Sequence, residues 1–341
     1  MPDVFFITNR ALVGPASLPE SYTGTLGDGG LRTGIARVTP ADTAALREGS
    51  IESIGAAAAD AFSATAAGEL KKATNLLFFI HGFANTFSDA ITRAAFNRDF
   101  LAASGVPAAD CTVLTFTWPS PGVTVTIHGV VGTLATLAFT PFVSLVHGRL
   151  ITPAAAEYLA DQKRATDSAD GLVSAFDRLV PVFEAVRKRG GKCFLMAHSM
   201  GHQILAGALA RPQAPTSILF DEAFLCAGDN ESAPQGMAPA WIKTLQMIAK
   251  RVHIYASEAD DILKVSQGVN GHERLGQRGE AGLDFAKVKG VRRIDCTGTK
   301  ALDITSDGNT GHYYYRRVPA VRDDIAAAMA GKKMGAVSLP E

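Results

Sequence analysis

Lys192-Cys193-Phe194-Leu195-Met196-Ala197-His198-Ser199-Met200-Gly201 is an apolar run that leads directly into a serine with small residues two positions away on each side. A helical pattern follows at residues 203–210. This order predicts a strand, a tight turn and a helix, the setting that holds a nucleophilic serine clear of a sheet. Ala197 stands where glycine is usual, but it is still small enough for the turn. The alternative is that Ser199 only caps the helix.

Composition and charge limit the classes of protein that the chain can represent. Of its 341 residues, 47% are hydrophobic and 19% are charged, which is enough to bury a large core. Lys plus Arg and Asp plus Glu both number 33, so the net charge is zero and no nucleic-acid partner is indicated. The N-terminus lacks the pattern of a secretory signal, so we expect a cytoplasmic protein.

The four cysteines are too far apart in sequence to form a zinc motif, so we expect no metal and no other cofactor. Three of them lie in or beside apolar runs and are expected to be buried small side chains: Cys111, Cys193 and Cys226.

Apolar runs alternate with helical patterns along most of the chain. The predicted strands cover residues 4–8, 34–38, 76–80, 111–116, 193–196, 218–226, 252–256 and 291–295. The predicted helices cover residues 85–103, 165–189, 202–210, 240–250 and 318–329, with a small one near 56–67. Unbroken apolar runs are typical of strands that are covered on both faces. The alternation therefore predicts an α/β fold with a mostly parallel, doubly wound sheet.

We expect one domain over residues 1–341, with an N-terminal elaboration at 1–70, a catalytic core at 75–120 and 157–330, and an apolar insertion at 121–156. Residues 123–146 are long enough to span a bilayer, but small or polar residues recur there every three or four positions. Three interpretations stay open: a helical lid over the site, a core or oligomer contact, and a helix in contact with a membrane or lipid.

A nucleophilic serine requires a base, an acid that orients the base, and N–H donors for the oxyanion. On a parallel sheet these groups belong at the carboxyl ends of strands, in the chain order serine, acid, histidine. His312, in a glycine-rich loop after the last predicted strand, is the predicted base. Asp260, after the fifth major apolar run, is the predicted acid; Asp229 is a competitor, and Glu258 and Asp261 are neighbours that could replace it.

The predicted oxyanion loop is Ile80-His81-Gly82-Phe83, which precedes a helix start at Asn85-Thr86 with a capping box completed by Asp89. The predicted donors are the backbone N–H groups of Phe83 and Met200. The residues expected to support the site or line its pocket are His81, Gly82, His198 and Trp118. We expect His81 to take no proton and His198 to project elsewhere; the other histidines receive no catalytic role.

These motifs together resemble a bacterial family of α/β-hydrolases that has no assigned function. The resemblance also includes Phe5-Phe6-Ile7-Thr8-Asn9-Arg10, Phe116-Thr117-Trp118-Pro119-Ser120, Tyr255-x-Ser257-x-x-Asp260 and His312-x-Tyr314. It implies the α/β-hydrolase fold and a Ser-Asp-His site, but it implies no particular substrate.

The resulting prediction is an esterase- or lipase-like serine hydrolase that acts on a small-molecule carboxylic ester or related acyl compound. Ser199 attacks, His312 moves the proton and Asp260 orients His312. A thioesterase, an acyltransferase or a peptidase would use the same residues. The alternative from another class is a non-catalytic or membrane-associated scaffold that kept the fold. The oligomeric state is not predicted.

Overall fold

The computed structural model describes residues 3–28, 30–57, 68, 75–105, 107–122, 144–146, 149–151, 153–232, 240–278, 289–299, 311–332, 335 and 337–339. Most of the predicted insertion, at 123–143, lies outside these residues. The same is true of residues 301–310, which precede the loop end at Gly311 and His312.

The described strands are β1 Asp3–Thr8, β2 Arg10–Leu12, β3 Tyr22–Leu26, β4 Arg32–Val38, β5 Ile51–Ala57, β6 Asn75–Ile80, β7 Cys111–Thr117, β8 Ser144–Val146, β9 Arg149–Ile151, β10 Cys193–His198, β11 Phe220–Cys226, β12 Ala249–Ala256, β13 Val291–Asp295 and β14 Val337–Ser338. Ten of them form one sheet in the order β14-β13-β12-β11-β10-β6-β7-β1-β4-β5. From β14 to β1 every pair is parallel. The antiparallel pairs of this sheet lie at one edge, where β4 pairs with β1 and with β5. The prediction of a mostly parallel sheet is confirmed.

Helices cover both faces of this sheet. They are α1 Phe87–Ala102, α2 Pro153–Asp167, α3 Ala169–Lys188, α4 Gly201–Leu209, α5 Ala240–Ile248, α6 Asp261–Asn270, α7 Leu275–Arg278 and α8 Pro319–Met329. Short 3₁₀ turns lie at Pro19–Ser21, Ala108–Asp110 and Tyr314–Arg316. The buried side chains of α3, α4 and α5 join one hydrophobic cluster, and those of α1 and α8 join a second.

The central strands are buried on both faces because alternate side chains enter different clusters. Along β6, Leu76, Phe78 and Ile80 enter the cluster of α3 to α5. Leu77 and Phe79 point the other way, into the cluster of α1 and α8. A strand with this period-two division has no polar face. This explains the unbroken apolar runs in the sequence.

Several boundaries differ from the predictions. The single helix predicted at 165–189 is two helices, because α2 ends at Asp167 and α3 begins at Ala169. Residues 56–57, predicted at the start of a helix, end strand β5. Ser144–Val146, at the end of the predicted apolar helix, forms a strand that pairs with Arg149–Ile151. Hydrogen bonding across this hairpin outweighs the helical spacing of the apolar residues.

Other local predictions are confirmed. Thr86 is the N-cap of α1, and its side chain and that of Asp89 exchange hydrogen bonds with each other's backbone N–H. Cys111, Cys193 and Cys226 are buried and free, as is Cys296.

Within the described part of the chain, no helix combines the length and apolar character needed to cross a bilayer.

Candidate active site

The turn between β10 and α4 places Ser199 in a strained backbone conformation. Its φ is 52°, in the left-handed region that non-glycine residues rarely occupy. Its N–H donates to the carbonyl of Cys226 on the neighbouring strand, at 3.1 Å. The N-cap of α4 is Met200, without a side-chain cap bond, so Ser199 does not cap the helix. A Cβ at Gly201 would lie 2.6 Å from the carbonyl oxygen of His81, which explains the small residue there.

Backbone strain is concentrated around this turn. Only four described non-glycine residues have positive φ, and Ala84, Ser199 and Ala227 are three of them. They follow β6, β10 and β11, which are adjacent in the sheet. Each such residue costs on the order of 1–3 kcal/mol and persists only where its surroundings hold it. Strain of this kind clusters at active sites.

His312 and Asp260 form a buried pair at the same edge of the sheet. Nδ1 of His312 lies 2.7 Å from Oδ2 of Asp260, and both side chains are at most 3% exposed. The other carboxylate oxygen of Asp260 accepts the Leu263 N–H at 3.0 Å and so caps α6. Burial raises the pKa of Asp260, although the charge of His312 opposes this shift. Since the carboxylate accepts from Nδ1, Nε2 of His312 is left as the basic nitrogen.

The competing acid, Asp229, belongs to a different buried network. Its carboxylate accepts from the Tyr158 hydroxyl at 2.6 Å, from the Ser266 hydroxyl at 2.5 Å and from Nε of Arg274 at 2.8 Å. Its partners join α2, α6 and the approach to α7 to the end of β11. The structure therefore places Asp260, and not Asp229, against His312.

The two acidic neighbours of Asp260 are accessible to solvent. Glu258 is exposed. Asp261 pairs with Lys264 one turn along α6, at 2.8 Å. Neither carboxylate is bonded to the histidine.

His198 lies beside His312, contrary to the expectation that it would project elsewhere. The two ring centroids are 4.6 Å apart, and Nε2 of His198 lies 3.4 Å from the His312 carbonyl oxygen. Burial lowers the pKa of His198 well below its ordinary value, so the ring is neutral. Tyr314 anchors the same segment, because its hydroxyl donates to the Tyr255 carbonyl and accepts the Ala227 N–H, each at 2.7 Å.

The loop after β6 touches the serine turn through Gly82. A Cβ built on Gly82 would lie 2.8 Å from Cβ of Ser199 and 3.1 Å from Nδ1 of His198. Real Cβ atoms do not approach carbon so closely, so only glycine fits between the two loops.

The Gly82 carbonyl is held from two sides. It accepts hydrogen bonds from Nδ1 of His81 at 2.9 Å and from Nδ2 of Asn85 at 3.1 Å. Nε2 of His81 accepts the Trp118 N–H at 3.1 Å, so this ring is neutral with its proton on Nδ1. Burial lowers the pKa of His81 well below its ordinary value. In a trans peptide the C=O and N–H point in opposite directions, so these bonds also set the direction of the Phe83 N–H.

A second set of bonds braces the same loop. The Asn85 side chain accepts from Arg93, and its backbone N–H donates to the Ser120 hydroxyl at 3.2 Å. Ser120 in turn donates to Asp161 at 2.5 Å, and the same carboxylate oxygen accepts the Ala84 N–H at 3.5 Å. The conformation of the loop therefore depends on α1, the segment after β7, and α2.

Sequence reasoning gave no role to Asn85 beyond the start of a helix, and none to His202. Asn85 stands two and three residues after the carbonyls that it bonds, a spacing at which asparagine often turns back on its own backbone. His202 stands three residues after Ser199, in the first turn of α4, and bonds back to the Ser199 carbonyl at 2.8 Å. Both spacings can be read from the sequence, but the sequence does not mark the carbonyl to which either side chain bonds.

Comparison with known proteins bears on the fold that carries this site. The profile of a family described as alpha/beta hydrolase of unknown function (DUF900) matches residues 58–330. That range covers the loop after β6, the serine turn, Asp260 and His312. No curated protein and no solved structure matches the chain. The chain belongs to this family of alpha/beta hydrolases of unknown function.

Proposed function

We propose that the protein is a serine hydrolase that cleaves a carboxylic ester, or a related small-molecule acyl compound, through an acyl-enzyme on Ser199. The observation that carries the proposal is the buried His312–Asp260 pair at the same sheet edge as a serine with φ of 52°. A histidine whose Nδ1 is hydrogen-bonded to a carboxylate offers Nε2 as a base. The strained turn presents the serine hydroxyl away from the sheet.

The proposed reaction has two stages. Nε2 of His312 takes the proton of the Ser199 hydroxyl while Oγ attacks the acyl carbon, and the carbonyl electron pair moves to oxygen. When the tetrahedral intermediate collapses, the leaving group departs with the proton from His312 and the acyl group stays on Ser199. Water then attacks this ester by the same route, which releases the acid and restores the serine.

The developing oxyanion needs donors that are free to receive it. Among the described residues, the N–H groups of Phe83 and Met200 donate to no protein acceptor. Each lies next to the serine turn, and the loops meet where Gly82 contacts Ser199. These two N–H groups are the proposed oxyanion hole.

The same residues would serve a thioesterase, an acyltransferase or a peptidase, so the leaving group has to be found by experiment. A set of p-nitrophenyl esters and acyl thioesters of graded length tests this point. An acyltransferase would in addition consume an added alcohol or amine as acceptor. A lid, oligomer or lipid-binding role for the insertion at 121–156 stays a prediction.

The primary test is labelling by a fluorophosphonate, which phosphonylates activated serines. We expect the wild-type protein to be labelled, and Ser199→Ala to abolish labelling and lower kcat by about 10³-fold or more while the protein stays folded. A folded Ser199→Ala protein that turns over ester at the wild-type rate would exclude this mechanism. Absence of labelling and of ester turnover in the wild type would favour the non-catalytic scaffold.

A further inference from the structure

The carbonyl oxygen of Ser199 accepts three hydrogen bonds. Nδ1 of His202 lies 2.8 Å away. The backbone N–H of His202 donates at 3.1 Å and that of Asp229 at 3.2 Å. A carbonyl oxygen has two lone pairs, so three donors leave it little freedom to rotate. Two of the donors belong to the first turn of α4, and the third comes from the loop after β11.

This carbonyl shares one planar peptide with the Met200 N–H. The two groups point in opposite directions, so whatever holds the carbonyl also aims the N–H. The Met200 N–H is one of the two proposed oxyanion donors. A donor works only when it points at the position that the oxyanion will occupy, at about 2.7–3.1 Å.

Packing alone does not account for a histidine at position 202. The side chain is fully buried, and its Nε2 has no hydrogen-bond partner among the described residues. That nitrogen faces Gly228, while the ring meets Trp241 edge-on at 6.4 Å between centroids. A buried polar atom without a partner costs about 1–3 kcal/mol, which an apolar side chain of similar size would avoid. What the histidine adds is the hydrogen bond from Nδ1.

The protonation state suits this role. Nδ1 donates to a carbonyl and therefore carries a proton, which leaves a lone pair on Nε2. Burial lowers the pKa of His202 to about 4. The ring is then neutral at neutral pH, and no unpaired charge lies behind the serine.

We propose that His202 is a positioning residue whose Nδ1–H orients the Ser199–Met200 peptide so that the Met200 N–H points into the oxyanion hole. The inference rests on the proposed acyl transfer at Ser199. The same arrangement occurs at the other donor, where His81 bonds the Gly82 carbonyl on the reverse side of the Phe83 N–H. Each proposed donor thus has a buried, neutral histidine behind its peptide.

The test compares side chains that keep or lose the donor. In His202→Asn, the amide nitrogen can take the place of Nδ1, whereas in His202→Leu no side-chain donor remains and only the two backbone donors are left. The readouts are kcat and KM for p-nitrophenyl acetate, and the inhibition constant of a phenyl trifluoromethyl ketone, whose hemiketal oxygen occupies the oxyanion hole. Losing a whole oxyanion donor costs about 10²–10³-fold in kcat, so we expect misdirection of one to cost about 10-fold.

The expected result for His202→Leu is a fall of about 10-fold in kcat and in affinity for the ketone, with KM within about twofold of wild type. His202→Asn should recover most of both. His253→Leu is the matched control. His253 is also a buried histidine, but it lies on β12 and its Nε2 bonds the Glu222 carboxylate at 2.8 Å. It should lower the unfolding temperature without changing kcat or the affinity for the ketone.

The outcomes separate this inference from the function on which it rests. A folded His202→Leu protein with wild-type kcat and ketone affinity overturns the positioning role while the hydrolase proposal stands. A wild-type protein that neither reacts with a fluorophosphonate nor turns over ester overturns both. If the leucine variant does not fold, His202→Gln replaces it, because the longer amide lies near the Nε2 position and should show the same loss.

Discussion

The close contact at Gly82 allows the effect of Gly82→Ala on kcat and on stability to be estimated from a distance. In Gly82→Ala the new methyl carbon would lie 2.8 Å from Cβ of Ser199, whereas carbon atoms pack at about 3.5–4.0 Å. The two loops must therefore separate by about 1 Å. The serine is held between β10 and α4, and the loop after β6 is held by the side chains of Asn85 and Asp161. Movement of either loop therefore changes the position of the Phe83 N–H relative to Ser199.

A displacement of about 1 Å at a reacting geometry costs about 10²-fold in rate. Overpacking of this size also destabilises a protein by about 1–3 kcal/mol. We therefore expect Gly82→Ala to fold, to unfold at a lower temperature, and to lose about 10²-fold in kcat for p-nitrophenyl acetate with little change in KM.

The matched control is Gly268→Ala in the interior of α6, where an added Cβ meets nothing within 4 Å. It should leave kcat unchanged and stabilise the protein by up to about 1 kcal/mol, since alanine favours helix over glycine. Both variants are assayed by steady-state kinetics and thermal unfolding. A Gly82→Ala enzyme with kcat within about threefold of wild type would refute the contact between the two loops as a determinant of catalysis.

Asp260→Asn keeps an oxygen to cap α6 but stabilises the wrong tautomer of His312, the proposed base, so kcat should fall by about 10²–10⁴-fold in a folded protein. Asp229→Asn should keep kcat but lower the free energy of unfolding by about 3 kcal/mol, because it breaks a buried ion pair; the reverse pattern in kinetics and urea unfolding would make Asp229 the acid. Burial raises the pKa of Glu48, but the neighbouring arginines outweigh burial and lower it to about 2. A carboxylate with a lowered pKa in the folded state stabilises the protein above pH about 4.5, and this stability is lost as the pH falls towards 2. Glu48→Gln should therefore lower the free energy of unfolding by roughly 3 kcal/mol at pH 7. Measured by urea unfolding, the difference in this free energy between wild type and variant should become smaller from pH 4.5 to pH 3; a difference that does not change with pH would contradict the lowered pKa. If residues 123–146 wall an acyl pocket, each buried substrate CH₂ gains about 0.8 kcal/mol, about fourfold in kcat/KM, and a Gly/Ser linker in their place should flatten this dependence; an unchanged chain-length profile would exclude the lid.

The sequence alone was enough to predict a mostly parallel sheet, although not the order of its strands. Runs such as 76–80 and 193–196 are apolar at every position, which is typical of strands that are covered on both faces. Parallel strands end at the same edge, so the polar residues that follow them were expected to converge. Ser199, Asp260 and His312 were therefore expected to lie together, and the structure brings Asp260 and His312 into contact.

Local sequence patterns predicted less where the same spacing of apolar residues fits two different secondary structures. The helical periodicity at 165–189 runs back without a break into α2, so the turn at Ser168 was not visible. The apolar spacing near 144–146 suits a helix as well as a strand, and pairing with Arg149–Ile151 decided between them.

Tertiary structure alone decided which side chains meet. Asp229 and Asp260 both follow strands of the parallel sheet, and either could have reached the histidine. In the structure, Arg274 and Tyr158 donate hydrogen bonds to the Asp229 carboxylate. His312 instead contacts Asp260, 52 positions away in the sequence.

The roles of Asn85 and His202 could not be predicted from the sequence, for a different reason. Asn85 and His202 bond to backbone carbonyls, and every residue has a carbonyl, so no residue type in the sequence marks the partner. Periodicity and composition report burial and local geometry. The direction in which a peptide N–H points is set by bonds to its reverse side. At the Ser199–Met200 peptide one of these bonds comes from the Asp229 N–H, and it exists only because β11 lies next to β10.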